Sequence, residues 1–233
     1  MSTSWRRAPG GTAPAVIVLV LASAVCVTLL GLRDLCSGHW RYLFLPWNLL
    51  LAWLPLVFAR LTCRLHERGL VRSWKFPVAV FAWLIFLPNA PYIFTDLVHL
   101  PSTVHGRFWV DLVLILLFAF TGFLLGFVSL RLMQSLVTGM TNRLFGWVFV
   151  LVTAALSGFG VYVGRFRRWN SWDLLVNPIN LLVDIGHRVL HPLANPGVVV
   201  FPALFAVFFL VAYLMLTALI ELRTEAPHSA EDK

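Results

Sequence analysis

The chain has 233 residues, of which 60% are hydrophobic and only 12% charged, and it carries a formal net charge of +8. A soluble domain holds about 25% charged residues, so this composition excludes a water-soluble monomer and makes lipid the solvent for most of the chain. The basic balance (pI near 10.3) does not point to nucleic acid. The basic residues fall in short loops between apolar runs, where they set topology and meet anionic headgroups. Cys26, Cys36 and Cys63 are odd in number, irregularly spaced and form no CxxC pair, so neither a disulfide framework nor a zinc site is expected.

Six windows contain no Asp, Glu, Lys or Arg: residues 13–32, 42–59, 76–95, 112–130, 144–164 and 192–220. Each approaches or exceeds the length needed to cross about 30 Å of hydrocarbon at roughly 1.5 Å per residue. Backbone groups in lipid must bond within their own segment, so the windows are read as helices. The expected fold is all-α, a polytopic transmembrane bundle with spans at about 13–32, 42–60, 75–97, 108–131, 144–164 and 196–221. The first window follows Arg6 and Arg7, but it is longer than a signal-peptide core and no A-x-A site ends it, so it is read as a retained span. Residues 1–11 and 223–233 read as short tails around a single membrane domain, 12–222.

With six spans, the tails and even-numbered loops share one face and hold eleven of the Lys and Arg residues, against seven on the other. The excess assigns both termini to the cytoplasm. The fifth loop is nevertheless basic on the side that should be poor in charge, which makes it a place to look for function.

Polar groups inside a membrane protein are costly, so they are the next signal. The stretch 86–100 reads Phe-Leu-Pro-Asn-Ala-Pro-Tyr-Ile-Phe-Thr-Asp-Leu-Val-His-Leu. Pro91 has no N–H and breaks or kinks the third span near Asn89. A helix beyond it sets Tyr92, Asp96 and His99 on one face, with Asn89 beside them if the kink is mild. Asp96 and His99 then suit a shared proton or metal ion, or simple capping among headgroups; two ligands are too few to specify a metal. Asp111 opens the fourth span, after a loop holding His105 and Arg107, in a position that the helix macrodipole also favours.

The stretch 164–173 carries Arg165, Arg167, Arg168, Trp169, Asn170, Trp172 and Asp173. Its guanidinium groups suit a phosphate or carboxylate, or an ordinary headgroup anchor. Asn177 and Pro178 then start an amphipathic helix, about 177–190, expected to lie in the interface, with Asn180, Asp184, His187, Arg188 and His191 along one face. Asp184, His187 and His191 have a spacing that metal ligands can use, although a wetted polar stripe is the favoured account of them.

These two stretches, together with Trp109-x-Asp111, resemble the signature segments of bacterial membrane proteins catalogued as domain of unknown function 1361. The resemblance covers roughly spans two to six. It implies a multi-pass protein of the bacterial plasma membrane, supplies no reaction, and places Asn89, Tyr92, Asp96, His99, Asp111, Arg165, Arg168, Asn170 and Asp173 in the common pattern. Three classes of function follow. In a membrane-embedded hydrolase or transferase, Asp96, His99 and Asp111 act on a proton or metal while Arg165 and Arg168, with Asn89, Tyr92, Asn170 and Asp173, hold an anionic lipid substrate. In a transporter, the broken third span carries the site. In a non-catalytic component, the polar face binds lipid or a partner protein. Membrane lipids are the partner that all three share; the sequence names no cofactor or metal.

Overall fold

The computed structural model describes residues 12–102, 107–167 and 196–225, with isolated positions between 176 and 186. The chain divides into two compact units, the first ending at Phe149 and the second beginning at Val150. Among the described residues, six helices are long and apolar enough to cross a membrane. The described residues contain no β-strand. Residues 1–11 and 226–233 of the expected tails, the core of the interfacial helix with Asp184, His187 and His191, and His105 lie outside the described residues; residues 223–225 continue the last helix.

In the first unit, α1 spans Thr12–Ser37 and α2 spans Phe44–Glu67. The third span is broken: α3 runs Lys75–Phe86, the short α4 covers Asn89–Tyr92, and a 3₁₀ segment follows over Ile93–Ser102. α5 is the long central helix, Phe108–Met140, and α6, Arg143–Arg167, starts here and runs into the second unit. α5 packs against α1, α2, α4 and the 3₁₀ segment, and 61% of its most apolar window is buried, against 17% for α1. The exposed Ile17, Val18, Leu21 and Val25 therefore make α1 a lipid-facing helix.

The break has a local cause. Pro88 and Pro91 each lack the N–H that would continue the ladder of α3, and the last regular bond there is Leu87 N–H to the Trp83 carbonyl, 2.9 Å. α4 then sits directly on α5, because Gly122 and Gly126 carry no side chain. A Cβ at Gly126 would lie 2.6 Å from the Ala90 Cβ, and one at Gly122 would lie 2.7 Å from Ile93 Cδ1 and 3.0 Å from the Ala90 carbonyl oxygen. This is the close-approach role that small residues play between helices in lipid.

The second unit contains the rest of α6 and α7, Gly197–Glu225. Gly158 lies against the backbone of Pro202 and Ala206. Tyr162, Phe166, Phe201 and Phe205 form a chain of ring contacts between the two helices.

Candidate functional site: a cationic cleft at one end of the first unit

α1 ends in Arg33, Asp34 and Ser37, and its exit is made by Gly38. Gly38 sits at φ 67° and donates its N–H to the Asp34 carbonyl at 2.9 Å, a left-handed termination that residues with a Cβ resist. The turn sends His39, Trp40, Arg41 and Tyr42 back over the end of the unit. There they meet the amino end of α5, capped by Arg107 and carrying Asp111 in its first turn.

Asp111 is fully buried. Arg33 grips it with both edges of the guanidinium: Nε donates to Oδ1 at 2.9 Å and Nη2 to Oδ2 at 3.0 Å. This fork is the strongest pairing two side chains offer a carboxylate. Tyr42 donates its hydroxyl to Oδ2 at 3.1 Å, and its ring lies under the guanidinium, 4.8 Å from Cζ. The remaining Arg33 nitrogen, Nη1, donates to Asp34 Oδ1 at 3.0 Å and to the His39 carbonyl at 3.2 Å. Asp34 is also buried, and its Oδ2 accepts no hydrogen bond among the described residues.

Burial, and then the Asp111 carboxylate, push the Tyr42 phenol up to about 12, because ionising it would place a second anion beside the first. Tyr42 therefore stays a donor across the physiological range. Its contribution to stability is complete below the ordinary tyrosine value near 10 and falls as pH rises through about 12. Alkaline absorbance titration, with Tyr42→Phe as the difference sample, is expected to show one tyrosine ionising near that upper value. Asp111→Asn should bring it down. A Tyr42 that ionises with the other tyrosines would contradict the arrangement.

Above this floor lies a cleft of about 630 Å³ lined by Arg33, Gly38, His39, Trp40, Arg41, Arg107 and Asp111. Arg41, Arg107 and His39 are exposed along it, and Trp40 is 62% exposed. The His39 ring is oriented by Nδ1–H donating to the Ser37 carbonyl at 2.7 Å, which leaves Nε2 as the acceptor nitrogen of the neutral ring. Three guanidinium groups thus face one carboxylate, and that carboxylate is already bound to the deepest of them. Such a surface is suited to holding an anion.

Among the described residues of the sequence-predicted set, Asp111 is the one that lines this cleft. Asp96 and His99 belong to a neighbouring cluster. The 3₁₀ segment has about three residues per turn, which sets Asp96 and His99 on one row and moves Tyr92 to another with Thr95. Asp96 is buried and accepts a hydrogen bond from Asn48 Nδ2 of α2 at 2.9 Å. His99 is exposed, with its ring 5.1 Å from that of Phe44. Asn89 donates from Nδ2 to the Phe86 carbonyl at 3.0 Å, tying the broken end of α3. Arg165 lies in the last turn of α6, half-buried, in the second unit. Arg168, Asn170 and Asp173 lie outside the described residues. Among those residues, no three His, Cys, Asp or Glu side chains gather as a metal site.

Sequence reasoning missed Arg33, Asp34, Tyr42, His39 and Arg41 as site residues. Arg33 and Arg41 entered only among the seven basic residues counted on one face, and Tyr42 only as the first residue of the second charge-free window. The available signal was an Arg-Asp pair at the end of an apolar run, followed by a glycine.

The spanning helices, the lipid-facing apolar surface and the charged residues gathered at helix ends define a multi-pass helical membrane protein. The chain belongs to the family of proteins of unknown function DUF1361, whose model matches residues 47–216. The match takes in Asp96 and Asp111 and begins beyond Arg33 and Tyr42. No curated protein and no solved structure matches the chain.

Proposed function

We propose that the protein binds the phosphate-bearing headgroup of an anionic lipid or lipid-linked molecule in the cleft between residues 38–42 and the amino end of α5, as a binding component without chemistry of its own. The observation that carries the reading is that three arginines and a single carboxylate line one cleft. Arg33 is spent on Asp111 and Asp34, while Arg41 and Arg107 line the cleft at its exposed edge. The first turn of a 33-residue helix borders the same space and adds its positive end. Trp40 and Trp109, 62% and 73% exposed, suit the headgroup depth that tryptophan prefers. A catalytic carboxylate needs access to a proton, and the carboxylate at this cleft is engaged on both oxygens. The count of basic residues favours the outer face of a bacterial plasma membrane for this site.

The test uses the full chain in detergent, the intrinsic fluorescence of Trp40 and two probes: glycerol phosphate, which carries the headgroup alone, and glycerol. Glycerol phosphate is expected to bind and glycerol not to. Arg41→Gln with Arg107→Gln should weaken binding about 25-fold, on the order of fivefold per charge removed. Unchanged affinity in the double variant would discard the proposal. Trp40→Phe identifies the reporter.

A further inference from the structure

A second basic surface lies at the opposite end of α2. Beyond Glu67, Arg68 caps the helix, and Gly69, at φ 70°, reverses the chain into the 3₁₀ turn Leu70–Arg72. Ser73 and Trp74 lead into α3 at Lys75. Local backbone bonds hold this connection: Arg68 N–H to the Arg64 carbonyl at 3.1 Å, Gly69 N–H to that of His66 at 2.9 Å and Ser73 N–H to that of Leu70 at 3.0 Å. The turn is therefore a built element that presents its side chains in fixed order.

Arg64, Arg68, Arg72 and Lys75 are all exposed. Among the described residues, none of the four is paired with a carboxylate. Glu67 is the lone carboxylate of the stretch 64–75, so four cations against one anion leave three positive charges. Beside them Leu70 is 42% and Trp74 70% exposed. The macrodipole of α2 accounts for cations at its carboxyl end, Arg64 and Arg68. It does not account for the other two. Lys75 is the first residue of α3 and Arg72 lies just before it, where the positive end of a helix opposes a cation. An anion from outside the chain removes that conflict.

We infer that this turn docks on the headgroups of an anionic bilayer leaflet. Arg72 and Lys75 meet lipid phosphates, Arg64 and Arg68 extend the contact along α2, and Leu70 and Trp74 sit at the boundary of the acyl region. α2 has 24 residues and is about 36 Å long at roughly 1.5 Å per residue, so this surface and the cleft face opposite leaflets and act independently. Screening by salt follows from the exposure of all four cations.

The experiment is native mass spectrometry of the full chain released from detergent micelles doped with phosphatidylglycerol or with phosphatidylcholine. The wild-type protein is expected to retain phosphatidylglycerol. Arg72→Gln with Lys75→Gln should reduce that affinity about 25-fold, on the order of fivefold per charge, and leave phosphatidylcholine retention unchanged. The charge-conserving pair Arg72→Lys with Lys75→Arg should keep the wild-type affinity, which separates lost charge from lost fold. Arg41→Gln with Arg107→Gln should leave this increment in place, so failure of the cleft reading does not carry over. Equal retention of the two lipids, an unaltered affinity in the glutamine variant, or displacement of the lipid by inorganic phosphate at equal phosphorus concentration would each overturn the inference.

Discussion

Arg33→Ala is expected to destabilise the protein more than any other single substitution at the cleft, and more than Asp111→Ala. Breaking a buried ion pair costs about 3–5 kcal/mol because the remaining charge stays buried without compensation. Asp111→Ala leaves the guanidinium its contacts with Asp34 and the His39 carbonyl, so its cost belongs near the lower end, about 3 kcal/mol. Arg33→Ala strands two carboxylates, Asp111 at 0% and Asp34 at 1% exposure, and belongs at the upper end, about 5 kcal/mol. The pair is a matter of specificity more than of net stability. Arg33→Met combined with Asp111→Leu, which fills the space with apolar atoms, should recover most of the loss. The measurement is the unfolding midpoint in mixed micelles, followed by tryptophan fluorescence. A double variant as unstable as the two single losses summed would show that the pair is not the coupled unit described here, and so would Arg33→Ala proving milder than Asp111→Ala.

The same pair shows why the fold class was legible in the sequence and the cleft was not. A helix in lipid needs only its own residues to satisfy its backbone, so six charge-free windows sufficed to expect a helical membrane protein, and the described residues hold six helices of spanning length. The break in the third span was also local, since proline acts on the turn that contains it. The geometry beyond the break was less local. An α-helix was expected, but the chain tightens into a 3₁₀ segment, and residue spacing alone does not reveal that change. Asp111 stood out because a carboxylate among apolar residues is costly. Its partner lies 78 positions earlier, in a helix that runs to Ser37, past the point where its charge-free window ended at residue 32. Counting Arg33 as a loop charge hid it. A charged residue within a turn of a span's end is better treated as a candidate partner for every buried polar group on that side.

Gly126→Ala is expected to destabilise the protein by about 1–3 kcal/mol, the usual cost of overpacking a filled interior, and Ala90→Gly should relieve it. The added Cβ would stand 2.6 Å from the Ala90 Cβ, and neither atom can rotate away, because both are fixed to the backbone. Either α4 moves off α5 or the strain stays. Removing the Ala90 methyl takes away the opposing atom, so the double variant should unfold close to the midpoint of Ala90→Gly alone. Gly122 gives the contrasting case. Its added Cβ would meet the flexible Ile93 Cδ1 at 2.7 Å and also the Ala90 carbonyl oxygen at 3.0 Å. The carbonyl is backbone, so Ala90→Gly should not rescue Gly122→Ala, and Ile93→Val should rescue it only in part. Both glycines hold α4 and the start of the 3₁₀ segment against the central helix, and that segment carries Asp96 to Asn48. The substitutions should therefore also raise the hydrogen-exchange rate of the 93–102 backbone while leaving α1 unchanged. If Ala90→Gly failed to restore Gly126→Ala, the methyl contact would not be what limits the approach of the two helices.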